Sequence, residues 1–449
     1  MRTASRRAML GLAGATVLLA GCASTAPPAD ALPPIVFVHG NGDSSALWQT
    51  TLWRFESNGW PTARLHAIDI PNPLARDDDT KPQPGRGSSA ESMAYLQAEV
   101  DKVLAATGAQ KVVLIGNSRG GYAIRNYMQN GGGSALVSHV VLGGTPNHGV
   151  WAIKGFRESN EFSGVGPFLT ALNAPKNAAG DEIVGPARWL TVRSDRNDKF
   201  AQPDGLWIGA RGTPTLVTYD GPELKGATNV VLPGVDHRET SFAPAAFAHA
   251  YRLITGQEPR HADVVPQARP VLGGKIMSAE NKPLPGAQVQ VFAVDAATGR
   301  RLGEAVYQKT VDADGAWGPF TSSAGTAHEF VVAAPGYAIT HFYRSPFARS
   351  SGLVHMRPER LADADRDAKS LVVFTRPRGY FDAQRDTFTL DGASTLPGVP
   401  PQGAGVASSR LKVGNEGMRP VTGRFNGESV TGQTWPVAGN HVVVLELTY

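Results

Sequence analysis

Lys111-Val112-Val113-Leu114-Ile115-Gly116-Asn117-Ser118-Arg119-Gly120-Gly121-Tyr122-Ala123-Ile124 decides the fold. Lys111 to Ile115 is a short β-branched apolar run of the buried-strand type. Gly121 to Met128 reads as a helix. Between them a serine sits at the apex of a sharp turn, with glycines two residues before and two after it. Small residues are needed at those places, because strand and helix must pass closely while the backbone at the serine is strained. Such a turn presents its hydroxyl as a nucleophile.

The start of the chain has a different character. Arg2, Arg6 and Arg7 precede an apolar run from Ala8 to Ala20, and Leu19-Ala20-Gly21-Cys22 follows. The run is shorter than the ~20 residues of a membrane span. Its ending resembles the lipobox of bacterial lipoproteins, in which the cysteine (here Cys22) is lipidated and becomes the new N-terminus. Ser5-Arg6-Arg7-Ala8-Met9-Leu10 also resembles a twin-arginine export signal. Cys22 is the only cysteine of 449 residues, which favours lipidation and excludes an intramolecular disulfide. Ser24 favours the outer membrane by the usual sorting rule. The expectation is a signal peptide over 1–21, a tether over 22–34 and a cell-envelope lipoprotein anchored to the membrane by its lipid. Removal of the signal leaves 40 basic against 39 acidic residues, so the net charge falls from +4 to +1. The basicity therefore gives no reason to expect nucleic-acid binding.

From 35 to 260, strand-like and helix-like segments alternate, the pattern of a mainly parallel sheet flanked by helices. Strands are expected at Ile35–Val38, Ala63–Ile70, Val137–Leu142, Trp189–Val192 and Val230–Leu232. Helices are expected at Trp48–Ser57, Ala90–Ala106 and Pro244–Leu253. At about 265 the long helical patterns stop. Gln288–Val294, Phe330–Ala333, Leu371–Phe374 and Val442–Leu447 read as strands, and Asp312-Ala313-Asp314-Gly315 reads as a hairpin turn between two more. The region 265–449 is expected to be all-β, one elaborated barrel or two small sandwiches over about 268–357 and 368–449. Asp312–Gly315 lacks the later ligands of a calcium loop.

A serine on an elbow above a parallel sheet is the arrangement of α/β-hydrolases, whose acid and then histidine follow the serine in the chain. A hydroxyl becomes a good nucleophile when imidazole takes its proton. His237, in Gly234-Val235-Asp236-His237-Arg238-Glu239 after the last strand, occupies the place of that base. The acid, which orients the imidazole, is expected after Trp189–Val192, where Asp198 is favoured over Asp195. Asp236 adjoins His237, and a direct neighbour seldom points at the imidazole. His39 closes the first strand, His148 lies in a loop at the wrong chain position, and His66 and His249 read as packing or surface residues. Two backbone amides should hold the oxyanion, those of Asn41 in His39-Gly40-Asn41-Gly42-Asp43 and of Arg119 after the serine. No cluster has metal-ligand spacing, and no cofactor is expected.

These residues make the first region resemble bacterial triacylglycerol lipases and esterases of the α/β-hydrolase superfamily. Gly143-Gly144-Thr145-Pro146-Asn147-His148-Gly149 is similar to their G-T-P-x-x-G loop, and Leu172-Asn173 with Ser194–Asp198 to their acid-bearing segment. Ser57-Asn58-Gly59-Trp60-Pro61, Asp263–Gln267 and His341–Phe347 are similar to stretches of the archaeal long-chain lipase type that carries a C-terminal β domain. That type places its acid shortly after the strand following the elbow, where this chain has Gly143-Gly144-Thr145-Pro146 and no carboxylate. The resemblance implies an esterase or lipase acting through an acyl-enzyme on a lipid or other ester; a monomer is expected. An aliphatic polyester depolymerase on the same residues, and a surface binding protein with an inactive hydrolase domain, are the alternatives. Val150–Leu172, rich in Trp and Phe, reads either as a packed connection or as a lid or acyl-pocket rim.

Overall fold

The computed structural model describes residues 32–414 and 417–449. The signal segment, Cys22 and nearly all of the tether lie outside the described residues. Six strands form the sheet of the first domain: β1 (Ile35–Val38), β2 (Leu65–Ile68), β3 (Val112–Asn117), β4 (Val137–Gly143), β5 (Arg188–Ser194) and β6 (Thr228–Leu232). Their spatial order is β6-β5-β4-β3-β1-β2. Every pair is parallel, with Ile35 opposite both Leu65 and Val113. A parallel sheet buried on both faces needs apolar residues in continuous runs. Accordingly Ile35–Val38 and Val112–Ile115 are buried throughout. Ile35, Phe37, Val113 and Ile115 pack on α1 (Gln49–Ser57) and α4 (Pro244–Thr255). Val36, Val38, Val112 and Leu114 pack on α2 (Ser89–Thr107) and α3 (Arg119–Asn130).

The helix ends are written locally. Ser88 caps α2 by accepting the Glu91 amide at 3.1 Å, while Glu91 accepts the Ser88 amide at 2.8 Å. This capping box is worth about 1 kcal/mol. Gly108 closes the helix at φ 65°, a left-handed conformation open to glycine.

The C-terminal domain is built on one seven-stranded sheet. In chain order its domain contains β7 (Val271–Lys275), β8 (Gln288–Val294), β9 (Tyr307–Thr310), β10 (Ala316–Thr321), β11 (Ala327–Ala333), β12 (Ile339–Arg344), β13 (Ser370–Thr375), β14 (Phe388–Leu390), β15 (Ser408–Val413), β16 (Pro420–Phe425), β17 (Glu428–Gln433) and β18 (His441–Glu446). The large sheet runs β9-β8-β11-β12-β18-β13-β15. Strand β18, near the C-terminus, lies parallel between β12 and β13. It joins strands from both halves of the region, for which the sequence suggests either one elaborated barrel or two small sandwiches, into a single sheet. Alternation then loads both faces. Val442, Val444, Leu371 and Val373 pack toward the β7–β10 pair, and Val443, Leu445, Val372 and Phe374 toward β14-β16-β17.

One local expectation is corrected. Asp312–Gly315 is a tight turn, with the Gly315 amide on Asp312 O at 3.0 Å, but it does not make a hairpin. Strand β9 pairs with β8, whereas β10 pairs with β7 in the other sheet. The chain changes layers at this corner, because β10 carries Trp317 and Phe320 into the core between the sheets.

The two domains are packed together. Trp53 of α1 is buried within the C-terminal core and donates its indole N–H to Ser350 O at 2.8 Å. Arg349 meets Glu56 at 3.2 Å. His355 Nε2 lies 2.8 Å from Ser45 Oγ. Asn281 and Arg357 donate to Asp43 O, both at 2.9 Å.

Candidate active site

Ser118 stands between β3 and α3 with φ 52° and ψ −121°, a left-handed conformation that is rare for a residue with a side chain. Its glycine neighbours are held by sterics. A Cβ on Gly116 would come 2.7 Å from Ile124 Cδ1 and 2.9 Å from the Gly121 nitrogen, and one on Gly120 would collide with Val38 O and lie 2.6 Å from His39 O. Gly40 brings the next loop against the serine, since a Cβ there would lie 3.0 Å from Ser118 Cβ.

His237 follows β6, as the chain order requires. Its Nδ1 is 2.9 Å and 2.8 Å from the two carboxylate oxygens of Asp198. Its Nε2 is buried without a hydrogen-bond partner among the described residues. Phe200 packs edge-on against the imidazole, ring centres 4.7 Å apart. Ser118 and His237 line one cavity of about 240 Å³. An imidazole whose Nδ1–H is held by a carboxylate has Nε2 free to accept a proton from a hydroxyl. Serine–imidazole hydrogen bonds are often long without substrate.

The other acidic candidates point elsewhere. Asp195 accepts the amides of Gly234 (3.0 Å) and Asn197 (3.1 Å), so it shapes the loops and does not touch His237. Asp236 turns away from the imidazole toward Arg376 and the Tyr380 amide, 2.8 Å each.

Asn41 and Ser118 line the same cavity. Within the loop, the Gly42 amide is taken by Pro73 O at 3.1 Å and that of Asp43 by Gly40 O at 3.3 Å, which leaves the Asn41 amide as the donor candidate. Arg119 is the first residue of α3, where an N–H has no partner within the helix. The Arg119 side chain is buried with Glu161 and donates to Pro73 O (3.0 Å) and Gly87 O (2.7 Å).

The four other histidines weighed from the sequence have separate surroundings. His39 Nε2 accepts the Ile70 amide at 3.0 Å, and burial holds the imidazole below its ordinary pKa. His148 pairs with Glu182 at 3.1 Å. His66 and His249 are also held below the ordinary value, by burial first.

Val150, Trp151 and Phe162 line the cavity, while Phe168, Leu169 and Leu172 pack on Tyr122. The Val150–Leu172 segment thus divides into a wall and a packed connection. Trp207, Ile208, Arg86, Arg157 and Tyr380 are among the other wall residues. The sequence reading misses four of them, whereas Arg157 falls within the Val150–Leu172 segment it marked as a possible rim. Trp207 and Ile208 sit in a short loop element without periodicity, and Tyr380 arrives from the other domain.

Residues 33–158 match the family model described as alpha/beta hydrolase fold. The protein has the α/β-hydrolase fold. Residues 269–361, the first part of the β-rich C-terminal region, match the family model described as lipase C-terminal domain. Solved structures similar to the chain include lipase B of Aspergillus fumigatus, at 15% identity over 51% of this chain and 54% of that one, TM-score 0.34. The chain therefore spans about half the length of that lipase. A Bacillus licheniformis lipase in its propeptide form is 16% identical over 92% of this chain and 94% of its own, TM-score 0.37. A carboxylesterase of Bacillus subtilis is 14% identical over 51% and 85%, TM-score 0.29. Likenesses of this size do not bear on activity.

Proposed function

We propose that the protein is a serine carboxylester hydrolase of the lipase/esterase type. The observation that carries this reading is the cavity shared by Ser118 at its strained apex and by His237, whose Nδ1 is held by Asp198 and whose Nε2 is free. Ser118 Oγ attacks the ester carbonyl while His237 Nε2 takes its proton. Asp198 stabilises the imidazolium. The amides of Asn41 and Arg119 receive the oxyanion, each such donor contributing roughly 10²–10³ in rate. The imidazolium returns the proton to the leaving alcohol, and water then releases the acid from the acyl-enzyme.

Size supports short or medium acyl chains. At about 240 Å³ the cavity lies below the ~300–1,000 Å³ usual for sites that enclose drug-sized ligands. Val150, Trp151, Phe162, Phe200 and Ile208 supply apolar walls for the acyl chain. The lipobox-like segment ending at Cys22 supports export and anchoring of the enzyme in the cell envelope, where it would act as a monomer on lipid or other esters.

The test is hydrolysis of p-nitrophenyl esters from acetate to palmitate by the mature chain and by Ser118→Ala. We expect a maximum at short to medium chains and loss of turnover in the variant. Turnover that survives the substitution overturns the mechanism. Release of soluble oligomers from an aliphatic polyester in preference to these esters would favour a depolymerase.

A further inference from the structure

The loops that carry His237 and Asp198 are both fastened to one short segment of the C-terminal domain, residues 376–380. Asp236 is fully buried. Its Oδ1 accepts the amides of Arg238 at 2.8 Å and Glu239 at 3.0 Å, closing the turn that carries His237. Its Oδ2 accepts from Arg376 Nη1 and from the Tyr380 amide, 2.8 Å each. Arg376 is also engaged at each of its three nitrogens. Nη2 pairs with Glu239, Nη1 also donates to Tyr380 O at 2.9 Å, and Nε donates to Tyr449 O at 3.1 Å. The guanidinium lies 4.4 Å from the centre of the Phe425 ring. A planar fork engaged in this many directions cannot swing.

The acid loop meets the same segment. Lys199, next to Asp198, places Nζ 3.6 Å from the centre of the Tyr380 ring and donates to Gly405 O at 2.7 Å. Arg238 sits over that ring at 5.0 Å and donates to Pro377 O at 3.1 Å. A displacement of Arg376 would therefore move the base and the acid relative to Ser118, which is held on the β3–α3 elbow by the close packing of Gly116, Gly120 and Gly40. Domain adhesion alone does not need this arrangement, since Trp53 and the Arg349–Glu56 pair join the domains away from His237.

We infer that Arg376, through Asp236 and Glu239, is a positioning residue for the Asp198–His237 pair, so that the C-terminal domain completes the active site of the hydrolase domain. This rests on the Ser118–His237–Asp198 reading above.

The test compares Arg376→Met, Arg376→Lys and Asp236→Asn in the full mature chain, with Arg349→Gln as an adhesion control. The readouts are melting temperature, kcat and KM on p-nitrophenyl butyrate, and the far-downfield proton resonance of His237 Nδ1–H. In folded Asp236→Asn and Arg376→Lys we expect kcat to fall about ten- to a hundredfold, the scale of a misplacement near 1 Å. KM should stay within about twofold, and the downfield resonance should broaden or shift. Arg376→Met should lose more than Arg376→Lys, which keeps the charge but not the fork. Arg349→Gln should lower the melting temperature and leave kcat and the resonance alone. Unchanged kcat and an unchanged resonance in folded Asp236→Asn or Arg376→Lys would overturn the inference. Activity surviving in Ser118→Ala would instead sink the underlying mechanism, and the resonance would still report whether Arg376 positions the imidazole.

Discussion

Ser118 adopts a backbone conformation that costs a non-glycine residue about 1–3 kcal/mol. It persists because Gly116, Gly120 and Gly40 let three backbone segments close around it. Gly120→Ala tests this directly. Its new Cβ would collide with the carbonyl of Val38, a backbone atom of the central sheet that cannot rotate away. We expect a loss of about 1–3 kcal/mol, read as a lower melting temperature, together with reduced esterase turnover. A variant as stable as the parent would show that the elbow has room to spare. The two aspartates after β5 separate in the same way. Asp198→Asn should lower kcat by about 10³–10⁴-fold, since an amide cannot stabilise the imidazolium and favours the wrong tautomer. Asp195→Asn should stay within a few-fold, because Asp195 touches backbone amides and not the imidazole. Steady-state kinetics on p-nitrophenyl butyrate checks both. The residue types at Ser118, Asp198 and His237 were legible from chain order, because each follows a strand of the same parallel sheet. The sequence favours Asp198 over Asp195, and the structure puts Asp198 on the ring and Asp195 on the Gly234 loop.

Elements of the hydrolase domain were legible because their signals are local: the Ser88–Glu91 box, Gly108 after α2, the apolar runs of β1 and β3. The short helix Pro167–Leu172 and the strand pair around 204–214 were not, since neither is long enough to show a period. In the C-terminal domain, Gln288–Val294 was read at its observed bounds, whereas the partners of β9 and β10 were not. Strand β11 also carries a pH-sensitive group. His328 is buried between Phe320 and Phe330, with Nδ1 unpartnered among the described residues, and burial pushes its pKa down to about 4. The imidazole is thus neutral when folded, while in the unfolded chain it binds a proton below its ordinary 6.5. The unfolded state therefore holds more protons between these values, and stability falls as pH drops from about 6.5 toward 4. At about 1.36 kcal/mol per pH unit the full effect is roughly 3 kcal/mol. Melting temperatures measured across this range should decline, and His328→Phe should flatten part of the decline. An identical slope in the variant would assign the acid sensitivity elsewhere.

At the scale of the whole molecule, the shared core predicts that the two domains unfold together. Trp53 belongs to a helix of the hydrolase domain and to the core of the β domain at once. Trp53→Ala should remove about 3–5 kcal/mol, seen as a lower denaturation midpoint in urea, with fluorescence and far-ultraviolet circular dichroism moving together. Two separated transitions in the parent protein would contradict this coupling. Expression of residues 32–262 alone should give an aggregating or inactive product, because Trp53 and the buried Asp236 would lose their partners. Removing one partner of a buried ion pair is worth about 3–5 kcal/mol by itself.

By itself the sequence determined the elbow, the α/β order of the first domain, the strand-rich character of the second and a short set of candidate residues. Those properties depend on neighbours a few positions apart, through strand alternation, helix periodicity, caps and the sterics of glycine. Tertiary structure alone decided that β18 lies between β12 and β13, that Tyr380 walls the cavity and that Arg376 holds Asp236 across 140 residues of chain. Contacts of that separation leave no periodic trace, because they form only when two independently patterned cores are pressed together.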